Sequence, residues 1–259
     1  MNTYLKTALS SATVAGEVLL DYFNKLHDSN NKSGNFRDIV TDVDLLSERE
    51  IINNIIKKHP DHSIVAEESG VKIKNEKYKW YIDPIDGTVN YANGIPLSVI
   101  SIALTIDDVI SVGVIYNPFT NEKYYAVKDE GTFMNGDKVH VSIAKEMSQS
   151  LIVAAFPNET SSLSSGYYEA FGRVNNATKG VLRLGSAALA LAYLSSGAID
   201  GFWGVNLKEW DYMAGILLVE EAGGTYSKHP VKNSKNGEIV VISNPNIHSS
   251  LVDSIINQS

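Results

Sequence analysis

The sequence predicts a chain of mixed class, an α+β half passing into an α/β half. Three patterns carry that prediction. Helical periodicity dominates the segment before Pro60, β-rich runs broken by short turns fill residues 98 to 141, and strands alternate with helices after residue 150.

In the first segment Leu5, Ala8, Ala12, Ala15, Leu19, Tyr22 and Leu26 recur at steps of three and four, the spacing of one helix face. The stretch has the apolar look of a leader peptide, but Glu17 interrupts it and the helical spacing runs on, so it reads as part of the mature chain. A second helix is predicted from about Asp44 to Lys58, with Leu45, Ile52, Ile55 and Ile56 on its apolar face and His59-Pro60 as its stop. SIVAEES (63–69) and KYKWYID (77–83) read as short strands that each deliver acids at their ends. SVISIALTI and VISVGVIY, separated by Asp107-Asp108, and FMNGDKVHV, with its Asn-Gly turn, complete an antiparallel meander.

From about residue 150 the texture changes. LIVAAF reads as a buried strand, residues 164–176 as a helix, and GSAALALAYLSSG as an Ala/Leu helix closed by Gly197. IDGFWGV, YMAGILLVEEAGG, EIVVIS and a segment from about Asn246 then read as strand, helix with a Gly-Gly cap, strand and helix. The halves divide near residue 143, into 1–142 and 143–259, with no linker rich in Pro, Ser or Gly between them.

The 259 residues are 44% hydrophobic and 20% charged, enough to bury a substantial core. A formal net charge of −8 disfavours nucleic-acid polymers and anionic membrane surfaces, which bind through Lys/Arg patches. The chain has no cysteine, so disulfides, Cys-ligated zinc, iron–sulfur clusters and thiol nucleophiles are excluded together. No run of about 18 apolar residues occurs, and a cytoplasmic setting is the expectation. The chain also lacks a P-loop, a G-x-G-x-x-G, a G-x-S-x-G and the D-x-D-x-D-G spacing of an EF-hand.

The stretch YIDPIDGTVN (81–90) sets Asp83 and Asp86 around Pro84 and Ile85, and such acids are costly to bury unless water or a cation satisfies them. Further acids sit at other element ends: Asp44 in TDVD, Glu67-Glu68, and Asp211 in EWDYMAG. Ends of helices and strands share edges, so these acids can converge. If Glu67, Asp83, Asp86 and Asp211 meet, each like pair at ~4 Å costs about 4 kcal/mol at an effective dielectric near 20. Two divalent cations would neutralise the four charges, and an oxygen-only shell suits Mg²⁺ or Mn²⁺. Pro84 stiffens the turn and presents the Ile85 carbonyl as a further oxygen. Gly87-Thr88 then opens a helix, whose first N–H groups suit phosphate oxygens, and the Thr88 hydroxyl can orient a water. Paired metals, an anion site and a positioned water make a phosphate-ester hydrolysis site.

AEES (66–69), YIDPIDGTVNYANG (81–94), LGSAALALAYLSSGAIDGFW (184–203) and WDYMAGILLVEEAGG (210–224) together resemble the inositol monophosphatase superfamily, lithium-sensitive Mg²⁺-dependent phosphomonoesterases, and follow its order along most of the chain. The resemblance implies a layered αβαβα sandwich, usually as a homodimer, acting on a small phosphorylated substrate. It further implies that Glu67, Asp83 and the Ile85 carbonyl hold a first Mg²⁺, that Asp83, Asp86 and Asp211 hold a second, and that Glu67 reaches a third through water. Thr88, hydrogen-bonded to Asp44, would help activate the attacking water, and the backbone of Gly87 and Thr88 would grip the phosphate. Gly185, Ser186 and Ala187 match the substrate-side stretch. One departure stands out. Inositol-specific relatives carry an acid seven residues before the Asp of the W-D motif, and here that position is Gly204, with Glu209 nearby as a stand-in out of register. Inositol monophosphate is the leading substrate, with NADP(H) 2′-phosphate, fructose 1,6-bisphosphate and adenosine 3′,5′-bisphosphate as alternatives, and a non-catalytic dimeric interaction protein as the alternative of another class.

Overall fold

The computed structural model of the chain describes residues 2–23, 29–31, 39–156, 164–231 and 237–256. Helix α1 (Thr3–Tyr22) starts on Asn2, whose side chain accepts from Tyr4 N at 2.8 Å. Its buried face holds Leu5, Ala8, Ala12, Ala15 and Leu19 as the periodicity predicts, while Tyr22 in the last turn is exposed and Leu26 lies outside the described residues. β1 (Ser29–Asn31) and β2 (Ile39–Thr41) pair antiparallel as a short ribbon.

α2 (Asp42–Lys58) begins two positions before the predicted start, and of its predicted apolar face Ile52 and Ile55 are buried and Ile56 is partly buried, while Leu45 is not. Leu45, expected inside, is 51% exposed, whereas Asp44, Ser47 and Glu48 are buried beside Val43, Ile51, Ile52 and Ile55. The reason is functional. Ser47 donates to the Pro84 carbonyl at 3.3 Å and Glu48 accepts two backbone N–H groups beside Glu67, so polar residues occupy the inner stripe and turn Leu45 outward.

Next come β3 (Ser63–Ala66), β4 (Gly70–Lys72), β5 (Tyr78–Asp86), the short α3 (Thr88–Ala92), β6 (Val99–Ile106), β7 (Val109–Asn117), β8 (Glu122–Val127), β9 (Gly131–Met134) and β10 (Asp137–Val139). They form an eight-stranded sheet ordered β10-β9-β8-β7-β6-β5-β3-β4. From β5 to β10 this is the expected antiparallel meander. Asp107-Asp108 and Asn135-Gly136 take positive φ at its two-residue turns, as right-handed strand twist favours. β3 departs from the meander by pairing parallel to β5, and β4 and β8 were not anticipated from sequence.

The second half comprises β11 (Leu151–Ala155), α4 (Ser164–Ala177), β12 (Gly180–Leu182), α5 (Ala187–Ser195), β13 (Gly201–Val205), α6 (Glu209–Glu221), β14 (Thr225–Pro230), β15 (Glu238–Ser243) and α7 (His248–Ile256). Gly197 and Gly223 follow α5 and α6 with left-handed φ, as helix-ending glycines do. The sheet, ordered β12-β11-β13-β15-β14, is mixed rather than wholly parallel. β11 runs parallel to β12 and β13, but β15 hairpins back from the edge strand β14 and enters antiparallel beside β13.

The layers follow from which faces are apolar. α1 and α2 cover the outer face of the first sheet, α4 and α7 the outer face of the second, and α5 and α6 lie between the sheets. α5 is apolar all round and nearly every residue in it is buried, as a central position requires. Close approach there depends on glycine: a Cβ at Gly113 in β7 would sit 2.8 Å from the Ala214 carbonyl oxygen of α6. The result is the αβαβα sandwich. Among the described residues no helix is long and apolar enough to cross a membrane.

Candidate active site

Asp83 and Asp86 are three positions apart, and on a regular strand they would point to opposite faces. Against β6 the register slips by one residue between them: Asp83 pairs with Ser101, and Asp86 with Val99. One extra residue in β5 is a bulge, and it returns both carboxylates to one face. Pro84, which has no N–H to give the ladder, lies inside the bulge, as does Ile85, whose side chain is fully buried. The Ile85 N–H donates to Asp83 Oδ1 at 3.0 Å, and its carbonyl accepts from the Thr88 hydroxyl at 3.0 Å while keeping a second lone pair.

Three of the acids, Asp83, Asp86 and Asp211, accept backbone N–H groups. Asp86 Oδ2 accepts from the Ser186 hydroxyl at 2.6 Å and from Ala188 N at 2.5 Å, which places a carboxylate at the N-terminus of α5. Asp211 closes the first turn of α6 by accepting from Lys208 N at 2.8 Å. Glu67 follows β3 and donates its N–H to the Ile82 carbonyl at 3.2 Å. Asp44 is buried in the first turn of α2. Asp83, Asp86 and Asp211 each leave one carboxylate oxygen outside these bonds.

The acids feel one another. Burial, then Asp211, Glu68, Asp44 and Asp86, push Glu67 up to about 8. Burial and Asp86 push Asp211 up to about 7. Burial pushes Asp86 up to about 6 against the opposing bonds from Ser186, Ala188 and Leu189. Asp83 is raised well above its ordinary value by burial, with Glu67, Asp86, Asp211 and Asp44 adding to it. Glu67, Asp83, Asp86 and Asp211 line one cavity, and Asp44 is near enough to act on Glu67 and Asp83. No three His, Asp or Glu side chains among the described residues are gathered tightly enough to hold an ion as they stand. The donors are all oxygens and Lys208 offsets the like charges only at Asp211, which fits a hard divalent cation in chemistry.

A linkage prediction arises here. Because these folded-state values lie above the ordinary ones, the folded chain holds more protons than the unfolded chain between about pH 4 and pH 8. Stability in chelator is therefore expected to fall as pH rises across that window. Melting temperatures taken from pH 5 to 8 check it, and Mg²⁺ should flatten the curve. A metal-free melting temperature that climbs toward pH 8 would remove the repulsive cluster.

The acids form one end of a cavity of about 450 Å³, and Gly87, Thr88, Gly185, Ser186 and Ala187 line it as predicted. Gly87 has φ 97° and Gly185 φ 76°, and both are tightly enclosed, Gly87 by the Leu97 carbonyl and Gly185 by the Asn90 amide. Two expected substrate positions are not at the wall. Glu209 lines a separate cavity with Tyr212 and Lys228, so it is no stand-in. At Gly204 the direction a side chain would take is filled by Leu207, 2.6 Å from an ideal Cβ, and it is Leu207 that lines the cavity.

Three supporting residues escaped the sequence reading. Glu48 is buried and accepts from Glu68 N at 2.7 Å and Ser69 N at 2.8 Å, fixing the turn that carries Glu67. Asn90 donates to the Leu97 and Leu184 carbonyls, both at 2.8 Å, and ties the halves together behind Gly185. Ser98 donates to the Gly87 carbonyl at 2.9 Å. Only Glu48 had a signal, an acid one helical turn after Asp44.

Comparison with known proteins agrees with this geometry. The inositol monophosphatase family profile matches residues 1–255. The Nus factor SuhB of Haemophilus influenzae is 36% identical over 93% of this chain and 91% of its own. The inositol-1-monophosphatase of Synechocystis is 36% identical over 88% of this chain and 80% of its own. The crystal structure of extragenic suppressor protein suhB from Bartonella henselae superposes over the whole of both chains with a TM-score of 0.92 at 30% identity. With its bulged pair of acids, its enclosed glycine turn and this match from end to end, the chain belongs to the inositol monophosphatase family of Mg²⁺-dependent phosphomonoesterases.

Proposed function

We propose that Glu67, Asp83, the Ile85 carbonyl, Asp86 and Asp211 hold two Mg²⁺ ions, with a third reached through water from Glu67 and with Mn²⁺ as a substitute. Bound there, the cations supply a polarised water and charge neutralisation for the leaving oxygen. Thr88 orients that water; its hydroxyl donates to the Ile85 carbonyl at 3.0 Å, where the resemblance implies a bond to Asp44. The Gly87-Thr88 backbone, Gly185, Ser186 and Ala187 bound the phosphate and the reacting end of the substrate. The substrate is a small phosphate ester, inositol monophosphate or one of its alternatives, NADP(H) 2′-phosphate, fructose 1,6-bisphosphate and adenosine 3′,5′-bisphosphate. The observation that carries this reading is the elevation of four carboxylates lining one cavity, all by burial and Glu67, Asp83 and Asp211 by neighbouring acids as well, a demand for positive charge that Lys208, acting on Asp211, offsets only in part.

The same reading takes residues 1–142 and 143–259 as halves meeting at the site, in a cytoplasmic homodimer inhibited by Li⁺. A non-catalytic role would leave the charge cluster without a purpose. The test is phosphate release from inositol monophosphate after chelation and after Mg²⁺ is restored, with calorimetry of Mg²⁺ binding in parallel. Activity should vanish and return, and binding at pH 7 should release protons, since acids raised toward neutrality must ionise to coordinate. Turnover that persists in chelator overturns the metal assignment.

A further inference from the structure

Apart from the acids, a second polar cluster is built from nitrogen as well as oxygen. Side chains alternate along a strand, so Ser227 and His229 in β14 share a face, while Lys228 between them reaches the Tyr212 hydroxyl of α6 at 2.9 Å. The shared face meets the start of α7. There Ser227 Oγ lies 2.8 Å from His229 Nε2 and 2.9 Å from His248 Nε2, so imidazoles from two different elements converge on one hydroxyl. All three residues are half-buried and remain in reach of solvent.

The proton on His248 is placed by its other neighbour. Ser243 is fully buried and donates to the Asn244 carbonyl at 2.9 Å, a bond that uses its one hydrogen, since a carbonyl can only accept. Its oxygen therefore accepts from His248 Nδ1 at 2.9 Å. With the proton on Nδ1, His248 Nε2 presents a lone pair, which the Ser227 hydroxyl now fills. That hydroxyl has one hydrogen to give, so His229 Nε2 donates to it in turn.

A hydrogen bond from the far nitrogen is what orients a ligating histidine, because it fixes tautomer and ring plane together. His248 is already in that state. His229 joins it by shifting its own proton from Nε2 to Nδ1, which neutral imidazole does without change of charge. Ser227 Oγ then stands as an oxygen donor between two nitrogen donors, and water completes the shell. Among the described residues no Asp, Glu or further His is gathered with them. Imidazole suits zinc, copper and nickel, whereas carboxylate and carbonyl oxygens suit magnesium, so this cluster and the acids of the cavity select different ions.

We propose that His229 and His248, with Ser227 between them, form a site for a divalent cation of the zinc or copper type, separate from the catalytic acids, which fastens β14 to α7. β14 ends its sheet and pairs with β15 alone, so a bond across to α7 secures a strand that the ladder holds from one side.

Copper reads the ligands directly. In protein saturated with Mg²⁺, one equivalent of Cu²⁺ should show nitrogen hyperfine coupling in its electron paramagnetic resonance spectrum, a signal that an oxygen-only shell cannot produce. Zn²⁺ should raise the melting temperature under the same conditions, as a ligand of the folded state does. His229→Gln and His248→Gln should each weaken binding by roughly tenfold or more in calorimetric titration, and Ser243→Ala, which frees the His248 tautomer, by about ten- to a hundredfold. Asp83→Asn should leave the coupling and the Zn²⁺ stabilisation in place, which assigns both away from the acids. Metal-free melting of each variant runs alongside, and His229→Gln, on the half-buried edge strand, decides the matter if a His248 or Ser243 variant fails to fold. Coupling and stabilisation that persist unchanged in His229→Gln belong to other side chains and overturn the proposal. A parent protein without nitrogen coupling does the same, and in either case the phosphatase reading is untouched.

Discussion

Asp83→Asn is expected to lower phosphate release on the order of a thousandfold, equivalent to about 4 kcal/mol of transition-state stabilisation. The residue is buried, and four acids from other positions act on it: Glu67 after β3, Asp44 from α2, Asp86 through the bulge and Asp211 from α6. In the proposed site it is also the carboxylate shared between cation positions, so one substitution weakens both. Asparagine keeps the size and keeps an oxygen to accept from Ile85 N, now at 3.0 Å to Asp83 Oδ1, so the bulge should survive. Folding provides the control. Removing one of four mutually repelling charges should leave the metal-free protein at least as stable as the parent at pH 8, while the stabilisation by Mg²⁺ should largely disappear. Retention of more than about a tenth of the parental rate, with a normal response to Mg²⁺, would show that chemistry does not depend on this carboxylate.

How much of this was legible in the sequence depends on whether local or distant forces decided each feature. α1 as far as Leu19, the β6–β7 hairpin and the Asn135-Gly136 turn are set by spacing and turn chemistry within a few residues, and these appear as read. The four acids were legible because each ends an element, and element ends meet at layer edges. The buried stripe of α2 was not, because Asp44, Ser47 and Glu48 look solvent-facing until their partners at Pro84, Glu68 and Ser69 arrive from a strand and a turn that sequence cannot dock. β4 and β12 are three-residue edge strands defined only by their neighbours. The antiparallel entry of β15 follows from the hairpin with β14, a pairing no periodicity announces.

Gly204 shows the same division within the site. The sequence shows a glycine where the resemblance leads one to expect an acid, and the structure shows Leu207, three positions on, occupying the direction a side chain there would take. Substitution of Gly204 alone cannot restore an acidic wall without displacing that leucine.

Gly87→Ala is expected to cost nearly as much activity as the loss of an acid, on the order of a hundredfold or more, and to destabilise the fold by about 2–3 kcal/mol. Two penalties combine. The residue sits at φ 97°, where a Cβ is strained, and that Cβ would lie 2.8 Å from the Leu97 carbonyl oxygen and 3.2 Å from both Ser186 Cβ and Ser98 Oγ. The nearest contact is backbone and cannot swing aside, so the Gly87-Thr88 turn itself must move. Moving it loosens the Ser98 bond to the Gly87 carbonyl, shifts the Thr88 hydroxyl from Ile85, and pushes on Ser186, which holds Asp86. Gly70→Ala separates the two penalties: Gly70 also has left-handed φ, 75°, but nothing lies within 4 Å of its Cβ position, so it carries backbone strain of about 1 kcal/mol and no collision. Calorimetric melting and phosphate release measured on both variants decide the matter. If Gly87→Ala melts with Gly70→Ala and keeps its rate, the turn is loose enough to absorb a methyl group, and close packing around Gly87 is not what positions Asp86 and Thr88 for catalysis.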